Sequence, residues 1–172
     1  MISMFDPASV QLTTLVLAAG LTVAAALSDL RRLRIPNRLC GLIAGLYPVY
    51  GLSLSVTPPW MAAALVAVAV LAVGFALFAV GFFGGGDVKL LAALALWSGT
   101  TGILPLLAIT AVAGGLMALI AASPLKYLTA LASEKCGNLI LRDALLAGRL
   151  PYGLAIAAGG LMMFAGLAGT LV

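Results

Sequence analysis

The stretch WMAAALVAVAVLAVGFALFAVGFF, residues 60–83, contains no charged residue and no proline, and GGGDVKL follows at 84–90. A helix needs roughly 20 apolar residues to cross a hydrocarbon core about 30 Å thick, and this run is long enough. Its character extends outward through the chain. Of 172 residues, 64% are hydrophobic and 8% charged, against about 25% charge in an ordinary soluble domain. A membrane β-barrel would show alternating segments of about ten residues, and none is present. The expected fold class is therefore all-α, a polytopic membrane protein.

Hydropathy and helix breakers together predict six transmembrane helices, over 10–27, 39–54, 60–83, 88–99, 104–122 and 152–172. Pro36, Pro58-Pro59 and Gly84-Gly85-Gly86 fall just before the second, third and fourth. Pro105 and Pro151 fall in the expected first turns of the fifth and sixth, where a missing N–H costs little. The first run follows a segment without Lys or Arg and leads into more apolar sequence, so it reads as a retained span and not as a signal peptide. Residues 1–172 read as one membrane-embedded domain whose only long connection is 123–150. Within it, 138–148 places Leu141, Leu145 and Gly148 on one side of a helix lying on the membrane surface.

All nine basic residues fall on one side of such a layout. Arg31, Arg32, Arg34 and Arg38 sit between the first two spans, Lys89 at the start of the fourth, and Lys126, Lys135, Arg142 and Arg149 in the long connection. The positive-inside rule makes that side cytoplasmic and puts both termini on the extracytoplasmic side of a bacterial inner membrane. A wrong span count would scatter these charges.

The acids are few enough to weigh singly. Asp6 is near the N-terminus, and Glu134 and Asp143 sit among basic residues, where surface ion pairing is the default. Asp29 and Asp87 stand at the cytoplasmic ends of spans. Asp29 meets the negative end of its helix dipole, and pairing with Arg31, Arg32 or Arg34 would account for it. Asp87 follows three glycines, and capping the fourth helix would account for it. Yet 88–99 makes only about 18 Å of helix, too short for the core, so either the span is tilted inside a thinned region or its start, with Asp87, is recessed into the membrane. Irregular backbone at that depth needs surrounding protein or a water-filled cavity, and an ionisable group there is a functional candidate. Two adjacent carboxyls sharing a proton would supply aspartic-protease chemistry. There is no His, and Cys40 and Cys136 lie far apart, so no metal or cofactor is expected and the thiols read as unpaired.

Asp29-Leu30-Arg31-Arg32-Leu33-Arg34-Ile35-Pro36-Asn37 resembles the first-aspartate motif of type IV prepilin peptidases, and Gly84-Gly85-Gly86-Asp87-Val88-Lys89-Leu90 resembles their Gly-x-Gly-Asp motif. Leu150-Pro151-Tyr152-Gly153 is similar to the Pro-Tyr-Gly stretch of the short branch serving Tad/Flp pili. The resemblance implies an aspartic endopeptidase with Asp29 and Asp87 catalytic. Ile35, Pro36, Asn37, Gly84, Gly86, Lys89, Pro151, Tyr152 and Gly153 match motif positions and read as shaping the site. It further implies prepilin or pseudopilin precursors as partners, each with a short basic leader before a hydrophobic helix, cut after a Gly at the cytoplasmic face.

The long members carry paired Cys-x-x-Cys motifs and also N-methylate the mature pilin. This chain lacks that segment, so cleavage without methylation is expected. Membrane lipids, met by the basic stretch 31–38, are the other expected partner, with no nucleic acid; the oligomeric state stays open. Lys89 reads first as a topology flank, with holding Asp87 partly ionised as a further, lesser role, and Trp60, Trp97 and Tyr152 also read as interfacial belt residues. A non-enzymatic scaffold or transporter component would explain the composition but not two acids at one face. A presenilin-type protease would have more spans and a Tyr-Asp motif, whereas Ser28 precedes Asp29.

Overall fold

The computed structural model describes residues 6–170, all of its regular structure helical. Seven helices follow in order: α1 (Pro7–Arg32), α2 (Asn37–Leu52), α3 (Trp60–Ala79), α4 (Gly85–Ala122), α5 (Leu125–Lys135), α6 (Leu139–Leu146) and α7 (Gly153–Gly169). Three of them, α1, α3 and α4, are long and apolar enough to cross a membrane. Nearly all of α3 faces outward: Ala63 is its one buried residue, while Met61, Leu65, Val68, Val73 and Phe75 are exposed. Such a surface calls for an apolar partner, either lipid or another protein. The expected ends of the chain, 1–5 and 171–172, lie outside the described residues.

The element Gly85–Ala122 is not one rod. Gly99 sits at φ 55° and ψ −159° inside it, a conformation suited to glycine. Contacts with α7 show what this break does. A Cβ on Gly160 would touch Leu94, before the break, and a Cβ on the adjacent Gly159 would touch Leu106 and Thr110, after it. Residues 94 and 106 would stand about 18 Å apart on a straight helix, so α4 folds into two antiparallel arms, 85–98 and 100–122. The Tyr152 ring lies against Gly114 on the second arm and 5.4 Å from Phe83, just before the first. The second arm thus returns to the end where the first began.

Several boundaries move from those expected. Helix α1 continues to Arg32, with Arg31 and Arg32 favourably placed in its last turn. Helix α3 stops at Ala79 instead of 83, because Gly81 at φ 81° closes it. The bonds Gly81 N–H to Phe78 O and Phe82 N–H to Leu77 O form the double closure of a Schellman end. The fourth helix begins at Gly85, not 88: Gly84 caps it and Asp87 is its third residue. Asp87 is therefore not the N-cap. The first arm remains short, about 21 Å for 14 residues. Because the second arm starts straight after Gly99, Pro105 lies inside the helix, and Pro151 precedes α7 instead of opening it.

The long connection holds two helices, not one. Helix α5 was not foreseen, and α6 is shorter than expected, with Asn138 capping it through Leu141 N–H. Its buried side is Leu141 and Ala144, while Gly148 is exposed. Arg142 pairs with Glu134 at 3.3 Å and Asp143 at 2.8 Å, as expected for surface ion pairs. Trp97 is a core residue, not a belt residue. It is 5% exposed, donates to Ile43 O at 2.8 Å and packs on Tyr47, Tyr50 and Phe164.

Candidate active site

The site is built at the end of the bundle where α1 stops, α4 starts and α7 enters. Helix α1 ends on Leu33, in the left-handed region at φ 51°, whose N–H bonds to Asp29 O at 2.7 Å. A non-glycine residue rarely adopts this conformation. Here it turns the chain back sharply, and Ser28 Oγ secures the return by donating to Arg34 O at 2.8 Å. Ile35 is consequently buried against both other elements. Cβ atoms on Gly86 and Gly153 would approach it at 3.1 Å each. Pro36 then caps α2 and Asn37 opens it.

Asp29 is 6% exposed and its Oδ2 accepts from Gly153 N–H at 2.9 Å. Among the described residues no basic side chain lies within ion-pair distance of it. Pairing with Arg31, Arg32 or Arg34 is therefore not what accounts for Asp29. Asp87 turns back over the glycine turn: a Cβ on Gly84 would sit 2.7 Å from its Oδ2. Its Oδ1 is buried with no hydrogen-bond partner among the described residues. An unsatisfied carboxylate oxygen is expensive and calls for a role.

Two cavities meet at this pair. The first, about 820 Å³, is lined by Ser28, Asp29, Arg32, residues 33–37 and residues 84–87. The second, about 450 Å³, is lined by Asp29, Leu33, residues 81–84, Asp87, residues 148–150 and Tyr152. Asp29, Leu33, Gly84 and Asp87 belong to both, so the cavities are two lobes of one cleft with both carboxyls on the divide. Carboxyls that come within hydrogen-bonding distance of one another can share a proton and act on a bond held between them.

Of the residues singled out in the sequence, Ile35, Pro36, Asn37, Gly84, Gly86 and Tyr152 line a lobe beside the two aspartates. Gly153 lines neither but holds Asp29. Pro151 is buried outside both and delivers Tyr152 and Gly153. Lys89 also stands outside the lobes, with its Nζ donating to Asn37 Oδ1 at 3.0 Å. It ties the start of α2 to the start of α4. A double-mutant cycle with Lys89→Met and Asn37→Ala, read as thermal stability in detergent, is expected to give a coupling of about 0.5–1 kcal/mol. A coupling of zero would mean that this tie does not hold the two elements.

Three contributors escaped the sequence reading. Leu33 gave no sign because its backbone conformation, not its type, matters. Phe83 looked like the end of an apolar run. Asn138 donates from Nδ2 to Leu30 O at 2.9 Å, pinning the α5–α6 junction to the last turn of α1. Its position three residues before Leu141 is a cap signal, but its reach to α1 depends on the tertiary fold.

A model of the type IV leader peptidase family matches residues 15–119, more than half of the chain and a span that includes both aspartates, the turn at Leu33 and the glycine turn at 84–86. No curated protein and no solved structure matches. The segment 150–153, which supplies Gly153, lies beyond the matched region and joins the site only through the fold. On the strength of that match, the chain belongs to the type IV leader peptidase family.

Proposed function

We propose that the protein is an aspartic endopeptidase that removes the short leader of pilin-like precursors, with Asp29 and Asp87 as its catalytic pair. The observation that carries this reading is the position of both carboxyls on the divide of one cleft, with Asp87 Oδ1 buried and unpartnered. The ionised member takes a proton from water as the water oxygen bonds to the scissile carbonyl carbon. The protonated member donates to the carbonyl oxygen. Collapse of the tetrahedral intermediate breaks the C–N bond, and a proton passes to the leaving amine. Protonation belongs to the pair as a unit.

The membrane arrangement is part of the same proposal. Six crossings are formed by α1, α2, α3, the two arms of α4, and α7, with α5 and α6 at the surface. All nine basic residues lie on elements that meet at the cleft end, which is tied together by the contacts Asn138–Leu30, Lys89–Asn37 and Gly153–Asp29. That supports a cleft facing the cytoplasm and termini on the far side of the inner membrane. Service to Tad/Flp-type pili and cleavage after a Gly follow from the motif resemblance, as does the placing of Pro151-Tyr152-Gly153 in the site.

The test is direct. Membranes containing the protein are expected to convert a pilin precursor to its mature form, with the new N-terminus at the leader boundary by mass spectrometry. No methyl group should appear on that N-terminus when a methyl donor is added. A precursor left whole, with the protein inserted at normal levels, would favour the scaffold reading. A cut in the middle of the substrate helix would favour a presenilin-like mode.

A further inference from the structure

The proposed substrate class has an apolar helix that must lie along the bundle once its leader boundary reaches the aspartates. Two elongated grooves start at the cleft end and run down either side of α3. One, about 320 Å³, lies between α3 and both arms of α4 and is lined by Val70, Val73, Leu77, Phe83, Val88 and Leu107 among other apolar residues. The other, about 350 Å³, lies between α2, α3 and α4, and its lining includes Asn37, Cys40, Val68, Leu71 and Lys89.

Both grooves connect to the cleft, but through different residues. Phe83 lines the α3–α4 groove and also the second lobe, where it faces Tyr152. Val88 lines that groove one residue beyond Asp87. The residues at the entry from the aspartates into this groove, Phe83 and Val88, are apolar. The α2–α3 groove is reached past Asn37, and there the hydrogen bond from Lys89 Nζ to Asn37 Oδ1 crosses its mouth. An apolar helix entering there would have to strip water from an ammonium group or displace its hydrogen bond, and either is unfavourable. The α3–α4 groove asks for neither.

We infer that the α3–α4 groove is the docking site for the substrate's hydrophobic helix, with Phe83 at the junction between helix-binding groove and bond-cutting cleft. This deepens the peptidase reading and rests on it. The recognition is of the helix-in-groove kind, with apolar side chains of the substrate seated between those of α3 and α4. Tight seating within a membrane depends on packing more than on apolar character, and a formed groove supplies it where the outer face of α3 does not. The substrate's entry would therefore be lateral, from the bilayer.

The test uses the full-length protein in membranes, made inactive by Asp87→Asn so that an uncut precursor stays bound. A benzophenone-bearing amino acid is placed singly at Val73 in the α3–α4 groove, at Val68 in the α2–α3 groove, or at Phe75, which lines neither. These positions are 62%, 61% and 64% exposed, so all are equally reachable. On irradiation with a pilin precursor, the adduct at Val73 should exceed those at Val68 and Phe75 several-fold and map to the apolar helix. A strongest adduct at Val68, or equal adducts at all three, would overturn the inference. So would an adduct at Val73 with lipid alone while the precursor is bound. The otherwise unsubstituted protein, tested in parallel, keeps the two claims separate. Cleavage by it without a Val73 adduct defeats only the groove, whereas no cleavage at all defeats the peptidase reading itself.

Discussion

Exchange of Asp87 for asparagine is expected to lower leader cleavage by at least about 1,000-fold, the scale of losing a group that both positions and transfers protons. The substitution keeps side-chain size and the third position of α4, so the glycine turn and the packing of Gly86 on Ile35 should persist. Membrane levels and thermal unfolding in detergent should accordingly stay near those of the unsubstituted protein. Asp29→Asn should be equally severe, and the double variant little worse than either single one, because the two carboxyls act as a unit. The measurement is initial cleavage rate at equal membrane content. Near-normal turnover by either single variant would remove that residue from the proposed pair.

The second large effect is expected at a residue with no reactive group. In Gly153→Ala the new Cβ would lie 2.9 Å from both Cβ and Oδ2 of Asp29 and 3.1 Å from Ile35 Cδ1. None of these atoms ends a long flexible side chain, so Asp29, α7 or both must move. The Gly153 N–H bond to Asp29 then lengthens or turns. Misplacing a catalytic group by about 1 Å can cost on the order of 100-fold, and that is the expected fall in cleavage rate. Gly166→Ala, in the same helix with open space at its Cβ, should leave the rate within about twofold, since an exposed helix position changes little on this swap. If both variants behave alike, the close approach of α7 to Asp29 is not what holds the site.

These two residues mark how far the sequence could be read. Asp29 and Asp87 were visible because charge is scarce in the chain, and their environment could be argued from span length and charge sidedness. The bland explanations for them were not decidable before the fold. Only the structure shows that no arginine pairs with Asp29 and that Asp87 sits third in its helix. Gly153 was flagged by motif alone, and its hydrogen bond spans 124 residues, a separation that no local pattern encodes. The reversal at Gly99 was legible as a break between two spans, although the absence of any loop there was not. Helix α5 escapes a sequence reading because 11 residues of mixed Leu, Ala and charge resemble surface loop as readily as helix; its packing partner, α6, is supplied by the tertiary fold.

The hydrogen bond from Gly153 to Asp29 also has a bearing on biogenesis. The two residues leave the ribosome 124 residues apart, a delay of about 6–25 s at ordinary elongation rates. Until the last helix is made and inserted, Asp29 lacks its anchor and the second lobe lacks residues 148–150 and Tyr152. A growing chain therefore holds both aspartates before the cleft is assembled. On the proposed peptidase reading, competence arrives late in synthesis, when α7 docks, and a half-made chain beside newly inserted precursors should be harmless to them.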